Sequence, residues 1–84
     1  MSDEEVFKVV RGVVLEILPG LDPDLVTMRS SLAQLGANSI DRLDVTLGAM
    51  EALRLRIPMT AFAGVSNLEG LVNVLLRNQG ASAS

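Results

Sequence analysis

Ser39 is the side chain through which this sequence could take part in covalent chemistry, and its neighbours limit what that chemistry can be. It lies in "LGANSIDRLD", after Gly36 and beside Asn38, with Asp41 and Arg42 shortly downstream. A serine hydroxyl is a poor nucleophile without a base to take its proton. The chain of 84 residues has no His and no Cys, which excludes a self-contained Ser-His-Asp hydrolase, a thiolate nucleophile, any disulfide and any Cys-based metal site. Its acids form no dense cluster of the kind hard cations need. No catalytic residue and no metal ligand is therefore assigned. Ser39 is either part of a helix cap or a hydroxyl on which another enzyme acts.

Both readings place it at a helix start. An Asn side chain accepts from the free N–H groups of a first turn, and an acid at Asp41 suits the positive end of the helix dipole. Two cap residues stand side by side where one suffices. If Asn38 caps, Ser39 occupies the first helical position, with its hydroxyl in solvent beside unpaired backbone donors. An anion attached there meets those donors and the helix dipole, so the position suits a phosphate ester.

The surrounding elements read as helices. Ser2 and Glu5 have capping-box spacing, and Val6, Val9, Val10, Val13, Val14, Ile17 and Leu18 recur at threes and fours, giving a helix over about residues 3–18. Pro19 and Gly20 stop it. The long connection to residue 38 is broken by Pro23 and Gly36, while Leu21, Leu25, Val26, Leu32 and Leu35 can pin it to a core; "SSLAQLG" reads as one turn closed by glycine. A second helix is expected from about Ser39 to Arg54, burying Ile40, Leu43, Leu47, Met50 and Leu53, with Asp41, Asp44, Val45, Gly48 and Glu51 outside. Met59–Gly64 reads as a minor helix after Pro58. Ser66 and Glu69 repeat the capping-box spacing before a last helix ending near Asn78. Residues 1–78 form the expected domain and 79–84, "QGASAS", a disordered tail. The fold class is all-α: an antiparallel bundle of three main helices plus one short one, with a long first loop.

Composition narrows the partners. The net charge is −3, yet three of the ten acids are Asp3, Glu4 and Glu5, so residues 6–84 balance at seven against seven. Recognition must then come from local patches rather than a global field. Without a basic cluster, and with Phe7 and Phe62 as the sole aromatics, nucleic acid is not an expected partner. No apolar run approaches the roughly 18 residues of a membrane span, and the acidic start is wrong for a secretory signal. A cytoplasmic monomer is expected. Met28, Met50 and Met59 read as packing residues.

"SLAQLGANSIDRLDV" resembles the signature of the acyl carrier proteins. Leu32, Leu35, Gly36, Ser39 and Asp41 stand in matching places, and Ile40 replaces the usual Leu of an Asp-Ser-Leu motif. "LRIP" and "VSNLEGLVNVLL" are similar to the family's entry to the third helix and its fourth helix, so the resemblance covers about residues 3–78. It implies the family's bundle and a 4′-phosphopantetheine arm on Ser39, taken from coenzyme A by a phosphopantetheinyl transferase that supplies base and metal. It further implies a carrier of acyl thioesters that is a substrate of other enzymes and not itself an enzyme. Asp41 would orient the transferase's metal or a basic residue, or serve simply as a helix-dipole carboxylate.

The departures point to a subgroup. Asn38 replaces the usual Asp, and residues 39–54 set Asp41, Asp44 and Glu51 against Arg42 and Arg54, a net −1. "MTAFAG" has no acid. A fatty-acid synthase that reads a strongly acidic helix fits this poorly. "GANSIDR" more closely resembles the free-standing donor carriers of polyketide β-branching cassettes. That implies loading with malonyl by an acyltransferase, conversion to acetyl by a decarboxylating ketosynthase, and donation to a homologue of HMG-CoA synthase. Asp41, Arg42, Asp44, Val45 and Gly48 are the expected partner-binding face, Val45 and Gly48 because an exposed valine beside a helix glycine suggests close approach of another surface. A two-carbon cargo has little apolar surface to bury and is expected to stay outside the bundle. The alternatives are a general fatty-acid or peptidyl carrier and, from another class, a helical docking module with an unmodified Ser39.

Overall fold

The computed structural model describes residues 2–82, with side chains through Gln79. Its α-helices are α1 (Asp3–Ile17), α2 (Ser39–Ala52) and α3 (Leu68–Ser82), with 3₁₀ turns at Pro23–Leu25 and Met59–Phe62. The helical bundle is the expected one.

α1 begins as its sequence requires. Ser2 Oγ accepts from the Glu5 N–H, and the Glu5 side chain reaches back to the Ser2 N–H. Valine is a mediocre helix former, so the helix is held by what it packs on. Val6, Val10 and Val14 are fully buried against α2 and α3, both of which pack on α1. Leu68, Leu71, Val72 and Leu75 of α3 complete the core, with Leu55 and Ile57 from the extended segment after α2.

The long loop is a built element. Ser31 Oγ accepts from the Gln34 N–H, the Ala37 N–H bonds the Leu32 carbonyl, and the Gly36 N–H bonds that of Ala33. Gly36, at φ 94°, takes the left-handed position that closes such a turn. Val26 is buried, and Leu21, Leu32 and Leu35 pack on the core as expected, whereas Leu25 is exposed. The loop also caps α3: the carbonyls of Ser30 and Met28 accept from the Leu68 and Glu69 N–H groups. The next donor, the Gly70 N–H, is taken by Asn67 Oδ1 at 2.9 Å. The side-chain cap of α3 is thus Asn67 and not Ser66, which the spacing to Glu69 had suggested. Loop carbonyls already serve the first two donors, so the cap shifts to the residue adjoining the helix.

Other boundaries also move. α2 ends at Ala52, two residues early, because Arg54 turns into the left-handed region at φ 56° and lets the Leu55 N–H bond the Met50 carbonyl. The minor helix is a 3₁₀ turn following Pro58. α3 runs past Asn78 into the expected tail as far as Ser82, there being no proline to interrupt its ladder; Met1, Ala83 and Ser84 lie outside the described residues. Among the described residues no helix is long and apolar enough to cross a membrane.

The largest correction concerns which way α2 faces. Val45, Thr46 and Ala49 are its buried residues, while Ile40 is 69% exposed and Leu43 and Leu47 are each 44% exposed. Of the expected stripe only Met50 and Leu53 pack on the core. The cause lies in α1. A wall of valines leaves room for small side chains opposite, and at Gly48 the backbone comes so near that an added Cβ would stand 2.9 Å from Val13 Cγ1. Thr46 keeps its place by donating its hydroxyl to the Arg42 carbonyl at 3.0 Å.

Candidate functional site

Asn38 and Ser39 divide the two tasks between them. Asn38, in extended conformation, accepts the Asp41 N–H on Oδ1 at 2.7 Å, and Asp41 Oδ2 accepts the Asn38 N–H at 3.2 Å. This reciprocal cap needs nothing from Ser39. Ser39 is therefore the first helical residue, exposed, with its own N–H and that of Ile40 outside the helix ladder. Its Oγ accepts from Arg42 Nη2 at 3.3 Å. A guanidinium is a donor and never a base, so nothing at this position takes the serine proton.

Ser39 opens onto a cleft of about 720 Å³ between α2, the 3₁₀ turn at Met59–Phe62, the long loop and the start of α3. Arg42, Ser31, Ser66 and Asn67 line it with polar groups; Leu43, Met59, Phe62, Val65 and Leu71 supply apolar wall. Such a mixed wall suits a ligand carrying both amides and methyl groups. An exposed hydroxyl, free backbone donors, a cation in contact and an adjoining cleft together fit a phosphoester-linked amphipathic chain.

The five residues expected to form one recognition face do not form one. Arg42 lies on the Ser39 side, in the cleft. Asp41 is tied to the cap. Asp44 and Gly48 border a different groove, shared with Lys8, Val13 and Glu16 of α1. Val45 is fully buried and presents nothing to a partner. The surface that does approach Gly48 is the protein's own α1, which accounts for the glycine without an external partner. Sequence reasoning missed the outward Ile40, Leu43 and Leu47, and the apolar cleft walls from Met59, Phe62 and Val65. One signal was available for α2: the small residues Val45, Gly48 and Ala49 share a stripe that matches a valine-rich neighbour better than leucines do.

Comparison with known proteins identifies the family. The family described as a phosphopantetheine attachment site matches residues 8–75. The polyketide biosynthesis acyl-carrier-protein AcpK of Bacillus subtilis (strain 168) is 35% identical over 75 residues, covering 89% of this chain and 92% of that protein. An acyl carrier protein of Guillardia theta is 33% identical over 76 residues, covering 89% and 93%. Among solved structures, the curacin biosynthetic pathway HMG synthase in complex with acetyl donor-ACP contains a chain matched at a TM-score of 0.82 and 33% identity, over 89% of this chain and 96% of that one. Coverage so nearly equal means that the matched chain has this chain's size, which is the carrier's and not the synthase's. The chain belongs to the acyl carrier proteins, which hold acyl groups on a 4′-phosphopantetheine prosthetic group and are carriers rather than enzymes.

Proposed function

We propose that Ser39 is the attachment point of the arm, and that the loaded chain donates acetyl to an HMG-CoA-synthase-like enzyme during polyketide β-branching in the cytoplasm. The observation that carries the first half is the division of labour at α2: Asn38 caps, leaving the Ser39 hydroxyl exposed, without a base, beside free N–H donors and a cation. A coenzyme A-dependent transferase supplies the base. When bound, the group supplies a thiol on a flexible arm, where acyl groups are held as thioesters. The residues of this chain contribute a fixed anchoring oxygen, a counter-charge and a cleft wall. The second half rests on similarity to AcpK and to a donor carrier in complex with an HMG synthase. The proposal further includes loading by an acyltransferase and a decarboxylating ketosynthase.

For docking, the exposed Ile40, Leu43 and Leu47 form a ridge running away from Ser39, with Met59 exposed across the cleft. Large apolar side chains left in water at helical spacing mark contact sites. Arg42, an exposed charge in the cleft beside this ridge, stays in the proposed face, whereas Asp41 is committed to the helix cap and Asp44 borders the groove shared with α1. Val45 and Gly48 leave it.

Incubation with coenzyme A, magnesium and a broad-specificity phosphopantetheinyl transferase tests attachment. The parent gains one phosphopantetheine by intact mass and Ser39→Ala gains none; the same gain in both would overturn the assignment. The acetyl-loaded form is then offered to an HMG-CoA-synthase-like enzyme and to a fatty-acid ketosynthase. Transfer to the first supports the β-branching role. Transfer to the second alone would make this a general fatty-acid carrier, as the Guillardia relative's plain description allows.

A further inference from the structure

We infer that Arg42 is the counter-cation of the phosphodiester on Ser39, holding the root of the arm against the first turn of α2, and that Asn38 keeps Arg42 free for that task. The inference rests on attachment at Ser39.

Arg42 already reaches the atom concerned, with Nη2 3.3 Å from Ser39 Oγ. That oxygen is a neutral acceptor and uses one of five guanidinium donors. A phosphoryl group esterified there carries its anionic oxygens two bonds beyond Oγ, within reach of the same fork. Guanidinium bonds to such oxygens are shorter, stronger and two at a time. The unbonded N–H groups of Ser39 and Ile40 and the helix dipole favour the same anion from the other side.

Nothing on α2 competes for Arg42. Residues three and four away on a helix meet, and for Arg42 these are Ser39, Asn38, Val45 and Thr46. None is acidic. The adjacent Asp41 is turned back to the Asn38 N–H, and Asp44 borders the α1 groove on the far side. Position 38 decides the matter. An aspartate there would cap as well as asparagine does, yet it would stand four residues before Arg42 and offer it a permanent carboxylate, while adding negative charge beside the phosphate. Asn38 keeps the cap and withholds the charge.

An exposed ion pair is weak and screened by salt, so Arg42 biases the arm toward the cleft instead of locking it. The test uses the modified proteins: parent, Arg42→Gln, Arg42→Lys and Asn38→Asp, each with its arm verified by mass and its fold by circular dichroism. The readouts are the ³¹P resonance of the phosphodiester and the fluorescence anisotropy of a dye on the arm's thiol. At low salt, Arg42→Gln moves the ³¹P shift toward that of a phosphopantetheinylated unstructured peptide and lowers the anisotropy. Asn38→Asp moves both the same way, and Arg42→Lys falls between because it keeps charge but loses the fork. Sodium chloride moves the parent toward Arg42→Gln and leaves Arg42→Gln in place. Identical ³¹P shift and anisotropy in parent and Arg42→Gln would overturn the inference, and a parent-like Asn38→Asp would overturn the role given to Asn38. Absence of any mass gain in the parent would instead defeat attachment at Ser39, so the two failures are distinguishable.

Discussion

The two sides of α2 use apolar residues for opposite ends. Toward α1 and the core it presents Val45, Gly48 and Ala49, small side chains that allow the backbones of α1 and α2 to approach until one added carbon at Gly48 would collide with Val13. Away from the core it presents Ile40, Leu43 and Leu47, larger and more apolar, exposed to water on a ridge that starts beside Ser39. Burial alone would put the leucines inside, since each gains about 1.5–3 kcal/mol when taken out of water. Close packing reverses the choice: the space beside α1's valines is too thin for them, and interiors tolerate little excess volume. Size matching to a neighbour, not hydrophobicity by rank, decides which face of a helix is core.

The sharpest way to break this comparison is to place one charge on each side. Val45→Asp buries a carboxylate with no partner and is expected to cost more than about 4 kcal/mol, enough to abolish the cooperative thermal transition followed by circular dichroism. Leu47→Asp, two positions on, leaves the melting curve within a few degrees of the parent. It should instead slow acetyl transfer to the partner synthase about tenfold, as loss of a central apolar contact does. Comparable unfolding by both would mean that Leu47 is core; no change in transfer would move the docking surface elsewhere.

The helix contact at Gly48 sharpens the comparison at smaller scale. An alanine in a helix interior is favoured over glycine by about 1 kcal/mol, but Val13 Cγ1 occupies the place of the new Cβ, and valine in a helix has one strongly preferred rotamer and yields poorly. Gly48→Ala should therefore destabilise the parent by about 1 kcal/mol. In a Val13→Ala background the same change should become stabilising by a similar amount. Urea denaturation of the four proteins gives the coupling directly, and an unchanged sign across the two backgrounds would show that Val13 does not set the spacing.

These outcomes also explain what the sequence could and could not show. Helix starts were legible at Ser2 and Asn38, because a cap is a local bargain between a side chain and the first-turn donors. The helical turn closed by Gly36 was legible for the same reason, as were the valines of α1, whose apolar residues have a single helical face to occupy. α2 was not, because its apolar residues fill more than one stripe and the choice between them is made by α1, where Val13 stands 35 residues before Gly48. Asn67 was missed in favour of Ser66 because two donors of α3 are served by carbonyls of the long loop, a contact that no local pattern encodes. Ser39 stood out by its neighbours, whereas the cleft beside it, built from four separate segments, has no sequence signature.

A side of α2 kept for contacts rather than for folding should have room for substitutions that raise stability, and its far end offers one. Arg54 is exposed and sits at φ 56°, the residue of the helix-ending turn where glycine is usual. The left-handed conformation costs a side-chain-bearing residue roughly 1–2 kcal/mol. Arg54→Gly removes that cost, while making the unfolded chain more flexible by about 0.4–1 kcal/mol and losing a cation from the negative end of α2, worth some 0.3–1 kcal/mol. At the middle of these ranges the balance is a gain of about 0.2 kcal/mol, seen as a rise in Tm of about one degree. The converse change at Gly36, Gly36→Arg, puts a side chain at φ 94°, further into the positive-φ region than Arg54, and should lower Tm. If Arg54→Gly lowers Tm by as much as Gly36→Arg does, the arginine is held in place by a contact that outweighs its backbone strain, and the turn that ends α2 contributes to folding through its side chain.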